Sequence, residues 1–162
     1  MDEAVARLAV LEALPAHLDV ADRAVSVTFI RCLDLHWPRG RPRSNHVGTR
    51  PEIMWTYANH DAMREIVWAC FAYGSPCAPG GVHVLAFWCN AGERRSVCAA
   101  ELLSRGLTQK SRAHSAFHSC RQLWGRRSCG RCRECNPTIS GAMRDEAHRK
   151  VAQLMDSVGL AV

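Results

Sequence analysis

Cys89-Asn90-Ala91-Gly92-Glu93-Arg94-Arg95-Ser96 places a thiol, a glycine, two guanidinium groups and a hydroxyl within eight residues. Those types at that spacing suit the capture of a phosphate-sized anion. Gly92 tolerates the backbone conformations in which successive N–H groups converge on one point. Arg95 offers a planar, two-pronged donor that matches phosphate oxygens. A thiol beside a guanidinium and a helix N-terminus is expected to ionise more readily than a free one, and Cys89 is placed for both. Ser96 stands where a helix would begin, to cap it or to donate to a thiolate. A plainer account also fits, in which Cys89 ends a buried strand and Arg95 pairs with a carboxylate.

The flanks say what must hold these residues. The apolar run Val82-His83-Val84-Leu85-Ala86-Phe87-Trp88 precedes the motif, and Val97-Cys98-Ala99-Ala100-Glu101-Leu102-Leu103 follows it. That order predicts a strand, a tight loop and a helix over 82–106. A loop running straight into a helix aims backbone N–H groups and the positive end of the helix dipole at one place. The expected product is a P-loop-like anion cradle with a thiol at its base. A second Cys-x5-Arg, Cys120 to Arg126, has no such flanks.

The chain of 162 residues is long enough for one domain with a real core, and 48% apolar against 22% charged residues favour a globular protein. No apolar run reaches the length of a membrane span, so no membrane partner is expected. The start, Met1-Asp2-Glu3-Ala4, has no signal-peptide pattern, and nine cysteines without one suggest reduced thiols in a cytoplasmic protein. The net charge of +6 comes almost wholly from arginine, with only Lys110 and Lys150 as lysines. From Leu102 to Arg133 there is no carboxylate, while Arg105, Lys110, Arg112, Arg121, Arg126, Arg127, Arg131 and Arg133 fall there. The first 22 residues lean the other way, with Asp2, Glu3, Glu12, Asp19 and Asp22 against Arg7. A basic block after an anion cradle favours a polyanionic partner such as RNA, with Arg112, Arg121, Arg126 and Arg127 as candidate contacts. A solvated basic loop is the alternative.

Residues 2–14 carry apolar side chains at helical spacing and predict a surface helix ending before Pro15. Residues 24–35 read as a buried strand, followed by a turn-rich basic loop from Trp37 to Asn45. Pro51 suits the first turn of a helix to about Asn59. Asp61 is placed to cap a second helix, 62–73, with Met63, Ile66, Val67, Cys70 and Phe71 on its buried face. Residues 74–81 break the chain. Weak alternation over 111–119 suggests a third strand, and 141–159 a final helix with Ala142, Ala147, Val151, Leu154, Met155 and Val158 as its apolar stripe. The expected organisation is an N-terminal helix (1–23), an α/β domain with a small, mostly parallel sheet covered by helices (24–119), a Cys/Arg-rich loop (120–141) and a C-terminal helix (142–162).

Two families share the loop signature. It is similar to that of the cysteine-dependent tyrosine and dual-specificity phosphatases, which implies Cys89 as nucleophile and Arg95 as phosphate holder. Such an enzyme needs an acid for the leaving group, and Asp61 is the candidate, ahead of Asp34. Those phosphatases usually carry His before the cysteine, where this chain has Trp88. More of the text resembles the C-terminal domain of the RNase adapter family RapZ. The residues concerned are Cys89, Gly92, Arg95, Ser96, Val97, Ala100, Glu101 and Leu103, the segment Gly48, Thr49, Pro51 and Glu52, and Ser111-Arg112-Ala113-His114-Ser115. The resemblance covers about 24–117, with Ala91 where that family has Gly and Arg94 where it has His. It implies a noncatalytic pocket for phosphate or a phosphosugar and a basic surface able to meet RNA. The family's N-terminal nucleotide-binding domain has no counterpart here, since no Gly-x4-Gly-Lys-Ser/Thr occurs.

Cys120, Cys129, Cys132 and Cys135 fall within sixteen residues, and Cys129-x-x-Cys132 has zinc-knuckle spacing. These four are the candidate ligands for a zinc ion, against the alternative of a loop of reduced cysteines. His46 and His60 lie in predicted loops from which either could approach an anion. Trp55, Trp68 and Trp88 sit in apolar contexts and are expected in the core. Trp37 and Trp124, flanked by arginines, have a composition suited to base stacking.

Overall fold

The computed structural model describes residues 2–17, 23–32, 48–73, 81–89, 95–110 and 137–159. In chain order the elements are α1 (Glu3–His17), β1 (Val25–Arg31), α2 (Pro51–Ala58), α3 (Asp61–Tyr73), β2 (Val82–Trp88), α4 (Arg95–Lys110) and α5 (Pro137–Ser157). The fold is α/β, with a small parallel sheet covered by helices. Among the described residues that sheet has two strands, paired from Val25↔Val82 to Arg31↔Trp88. Parallel neighbours need a crossover, and α2 and α3 lie within it.

Side-chain alternation divides the sheet into two faces. Ile30, Cys32 and Cys89 join the main core on one face, with Leu85 and Phe87 packed against it. That core is completed by Met54 and Tyr57 of α2, Met63, Ile66 and Val67 of α3, Leu102 and Leu103 of α4, and Val151 and Met155 of α5. The other face carries Phe29, Ala86 and Trp88, and α1 lies on it, with the Arg7 guanidinium 4.4 Å from the centre of the Phe29 ring. Gly106 permits the close approach of α4 and α5: a Cβ there would come within 2.6 Å of Met155 Sδ.

Local chemistry sets the helix ends. Pro51 opens α2, where its missing N–H costs nothing, and the Asn59 side chain donates to the Trp55 carbonyl at the other end. The cap of α3 is His60 rather than Asp61. Its Nδ1 accepts from the Ala62 N–H at 3.1 Å, and its carbonyl from the Met63 N–H at 2.9 Å. Asp61 is the first helical residue and adds an acidic group near the dipole's positive end.

Several expectations need correction. α1 continues through Pro15 to His17. A proline in the last turn forfeits one backbone bond, and burial of the preceding Leu14 anchors that turn. β1 is shorter than residues 24–35 and only Ile30 within it is buried, because its first half lies at the open end of the ladder. α5 begins at Pro137, a favoured first helical position, and its Ala142 is exposed while Ala147, Val151, Met155 and Val158 are buried. Phe71 is 43% exposed, edge-on to Trp68 at 51%. The buried stripe of α3 runs through Met63, Ile66, Val67 and Cys70, which turns Trp68 and Phe71 outward. Trp55 is also exposed, whereas Trp88 is buried as expected.

Candidate functional site

β1 and β2 run parallel, so their C-terminal ends share one edge of the sheet. Cys32 and Cys89 directly follow the two strands at that edge. In an open α/β sheet this is the edge at which ligands bind. The helix α4 starts there too, at Arg95, as the strand–loop–helix reading requires.

Three contacts tie the edge together. Cys89 Sγ and Ser96 Oγ are 3.2 Å apart in a buried hydrogen bond, which joins the first and last residues of the eight-residue motif. Arg95 Nη1 donates to the carbonyl oxygen of Cys32 at 3.3 Å, linking the start of α4 to the end of β1. The Cys32 N–H donates to the Trp88 carbonyl at 2.8 Å and carries the ladder one step past Arg31. Ser96 thus pairs with the thiol, the second of its two expected roles, from inside the first turn of α4. On the opposite face Arg31 stacks over Trp88, 5.4 Å from the ring centre.

The floor beneath is built of thiols and one phenol. Cys32 and Cys89 are 2% and 1% exposed, and Cys98 and Tyr57 are wholly buried. All four cysteines of the described residues, Cys32, Cys70, Cys89 and Cys98, are free thiols. Burial pushes the Cys32 thiol far above its ordinary range and the neighbouring Cys89 adds to this; Arg95 pulls the other way without offsetting it. Burial likewise raises Cys98 strongly and Cys70 to about 12. The Tyr57 hydroxyl interacts with the Cys32 thiol but finds no acceptor at normal hydrogen-bond geometry, and burial first, then Cys32, keeps it protonated. Burial thus keeps Cys32, Cys70, Cys98 and Tyr57 in their neutral forms at physiological pH.

The structure brings Cys89, Arg95 and Ser96 of the motif together. Asn90, Ala91, Gly92, Glu93 and Arg94 lie outside the described residues. So do Arg112, Arg121, Arg126, Arg127, the four candidate zinc ligands, the third-strand segment, Asp34, His46, Trp37 and Trp124. Among the described residues no group of three His, Cys, Asp or Glu side chains could hold a metal ion. Asp61 has an exposed carboxylate, and no hydrogen bond or ion pair joins it to Cys89, Arg95 or Ser96. His60 turns its ring to capping α3. Arg105, first of the carboxylate-free window, pairs with Asp145 of α5 at 3.6 Å, so the fold supplies from elsewhere a carboxylate that the local sequence lacks.

Sequence reasoning passed over Cys32 and Tyr57. The available signal was that each of two predicted parallel strands runs into a cysteine; their apposition needed the register. Comparison with family models, with curated proteins and with solved structures gives no match. Among the described residues no helix is long and apolar enough to cross a membrane.

Proposed function

We propose that the chain is a noncatalytic module that binds phosphate or a phosphosugar on the segment from Cys89 to Ser96, with a basic face for RNA or another acidic partner. The observation that carries this reading is the convergence of Cys89, Ser96 and Arg95 at the C-terminal edge of two parallel strands, where a helix begins. A guanidinium and a helix N-terminus at a strand edge suit an anion more than any other ligand class. The resemblance to the RapZ C-terminal domain points the same way. The basic face would draw on Arg112, Arg121, Arg126 and Arg127, with zinc on Cys120, Cys129, Cys132 and Cys135 as a further proposal. Cytoplasmic work fits the four free thiols.

Titration with sulfate and inorganic phosphate by calorimetry tests the pocket. Wild type binds, and Arg95→Ala loses binding; equal affinity in the two proteins overturns the reading. RNA affinity should fall steeply with added salt, and a flat salt dependence removes the basic face.

A second reading, a cysteine-dependent phosphatase, draws support from the Ser96 hydroxyl on the Cys89 sulfur, a contact that would steady a thiolate. The burial of Cys89 and the separate setting of Asp61 weigh for binding alone. Turnover of para-nitrophenyl phosphate that vanishes in Cys89→Ser would establish the enzyme; none from acidic to neutral pH leaves binding.

A further inference from the structure

We infer that Cys32 and Cys89 are a redox pair: hydrogen peroxide joins them as a disulfide across the ends of β1 and β2, and this bond switches the anion hold of the 89–96 segment. The switching half rests on the binding reading above; the disulfide does not.

The register carries the pairing. The ladder runs to Arg31↔Trp88, and the Cys32 N–H donates to the Trp88 carbonyl at 2.8 Å. In a parallel ladder that bond sets Cys32 opposite Cys89. Both belong to the core-facing set, two residues beyond Ile30 and Phe87, so their side chains leave the sheet on the same side. Neighbouring strands lie about 4.8 Å apart, inside the roughly 4.4–6.8 Å between Cα atoms that a disulfide spans. The two thiols also feel each other electrostatically. Cys70 and Cys98 also lie near enough to Cys32 to interact with it, but they sit on α3 and α4, off the ladder, so a bridge from Cys32 to either would overturn the pairing.

The roles of the two sulfurs differ. Cys89 has the Ser96 hydroxyl at 3.2 Å and a helix N-terminus beside it, so it is the thiol able to attack as thiolate. Its sulfur attacks one peroxide oxygen, the O–O bond breaks, and with a proton from solvent the products are the sulfenic acid of Cys89 and one water. The Cys32 sulfur then attacks the Cys89 sulfur; the S–O bond breaks, and the hydroxide leaves as a second water with the Cys32 proton. Two thiols lose two electrons and two protons, and peroxide is reduced to two waters. Both thiols are nearly closed off from solvent, so the small oxidant hydrogen peroxide is the reagent chosen, and a bulky aromatic disulfide should not react. The bond matters to the anion because Cys32 also supplies the carbonyl on which Arg95 rests. Joining its sulfur to Cys89 constrains the Cys32 end of that contact and takes the Cys89 thiol from Ser96, the neighbour of Arg95.

The full chain, reduced and freed of reductant, is treated with hydrogen peroxide, blocked with N-ethylmaleimide, digested and mapped by mass spectrometry. The expected result is a cross-linked peptide pair containing Cys32 and Cys89, reversed by dithiothreitol and absent after treatment with an aromatic disulfide. Sulfate binding should be lost on oxidation and return on reduction, while in Cys32→Ser and Cys32→Ala peroxide causes no comparable reversible loss. Cys89 recovered as a thiol or as sulfinic acid, with Cys32 blocked only after unfolding, overturns the pairing. A mapped disulfide with unchanged sulfate binding overturns the switch. Should the reduced protein bind no sulfate, the binding reading falls and the mapped disulfide stands; bound sulfate without the disulfide has the opposite meaning.

Discussion

The two ends of the β1–β2 ladder carry the same kind of residue on the same face and treat it in opposite ways. At the N-terminal end His83 lies between two hydroxyls, with Ser26 Oγ 2.7 Å from Nδ1 and Thr28 Oγ1 3.3 Å from Nε2. Ser26 is exposed, and Thr28 and His83 are only half-buried. At the C-terminal end Cys32, Cys89 and Ser96 are closed off from solvent under Arg95. Both ends hold small polar groups able to donate and accept hydrogen bonds, and water decides what each can do. Where water reaches, a side-chain network contributes little to stability. Where water is excluded, each polar contact counts for more and an unpartnered group is costly.

Mutations test that contrast most strongly at the buried end. Tyr57→Ala removes a wholly buried ring from the floor and should destabilise the fold by about 3–5 kcal/mol in chemical denaturation, as for other buried aromatics. A loss below about 1 kcal/mol would mean the floor is not packed. Ser96→Ala breaks the buried contact with Cys89 and should cost about 1 kcal/mol. Ser26→Ala at the exposed end should stay within about 0.5 kcal/mol of wild type. Equal losses at the two ends would erase the distinction. Tyr57→Phe should be neutral or slightly stabilising, because the hydroxyl it removes has no well-placed acceptor.

The smallest effect is a dependence on pH. Burial lowers the pKa of His83, and lowers that of His148 together with Arg105 and Arg144. A histidine depressed in the folded state binds its proton more readily when unfolded, so stability is full above the unfolded value of about 6.5 and falls as pH drops below it. Denaturation midpoints at pH 7.5 and 5.5 should show this loss, reduced but not removed in His83→Gln. A midpoint that rises on acidification contradicts both shifts.

Much of the architecture was legible because its signals are local. The apolar run from Val82 to Trp88, ended by the loop motif, is the strand that forms, and Pro51 marks the start of α2. The inward stripe of α3 followed from period alone, except at its margin. Phe71 sits at the edge of that stripe, where hydrophobicity argues for burial and geometry turns the ring out. The same conflict explains Trp55 and Trp68: composition marks them as core, and helix phase decides otherwise. His60 took the cap from Asp61 because the helix starts one residue earlier than expected, which puts Asp61 inside the first turn and His60 at the position before it. The site was legible as a motif and not as an assembly. Cys89, Arg95 and Ser96 announce themselves in eight residues, whereas Cys32 enters only through a partner 57 positions away, fixed by register.

That register makes the molecule sensitive to chain length at one place. Faces alternate residue by residue, so one residue inserted into or deleted from β1 would exchange between the two faces every side chain that follows it in the strand. Arg31 would turn toward the thiols and the Cys32 side chain toward the face beneath α1. Point changes along Val25–Arg31 alter one contact each, but a single-codon insertion there would take Cys32 out of the floor. A lineage that retains this site should therefore vary β1 in composition and hold its length fixed.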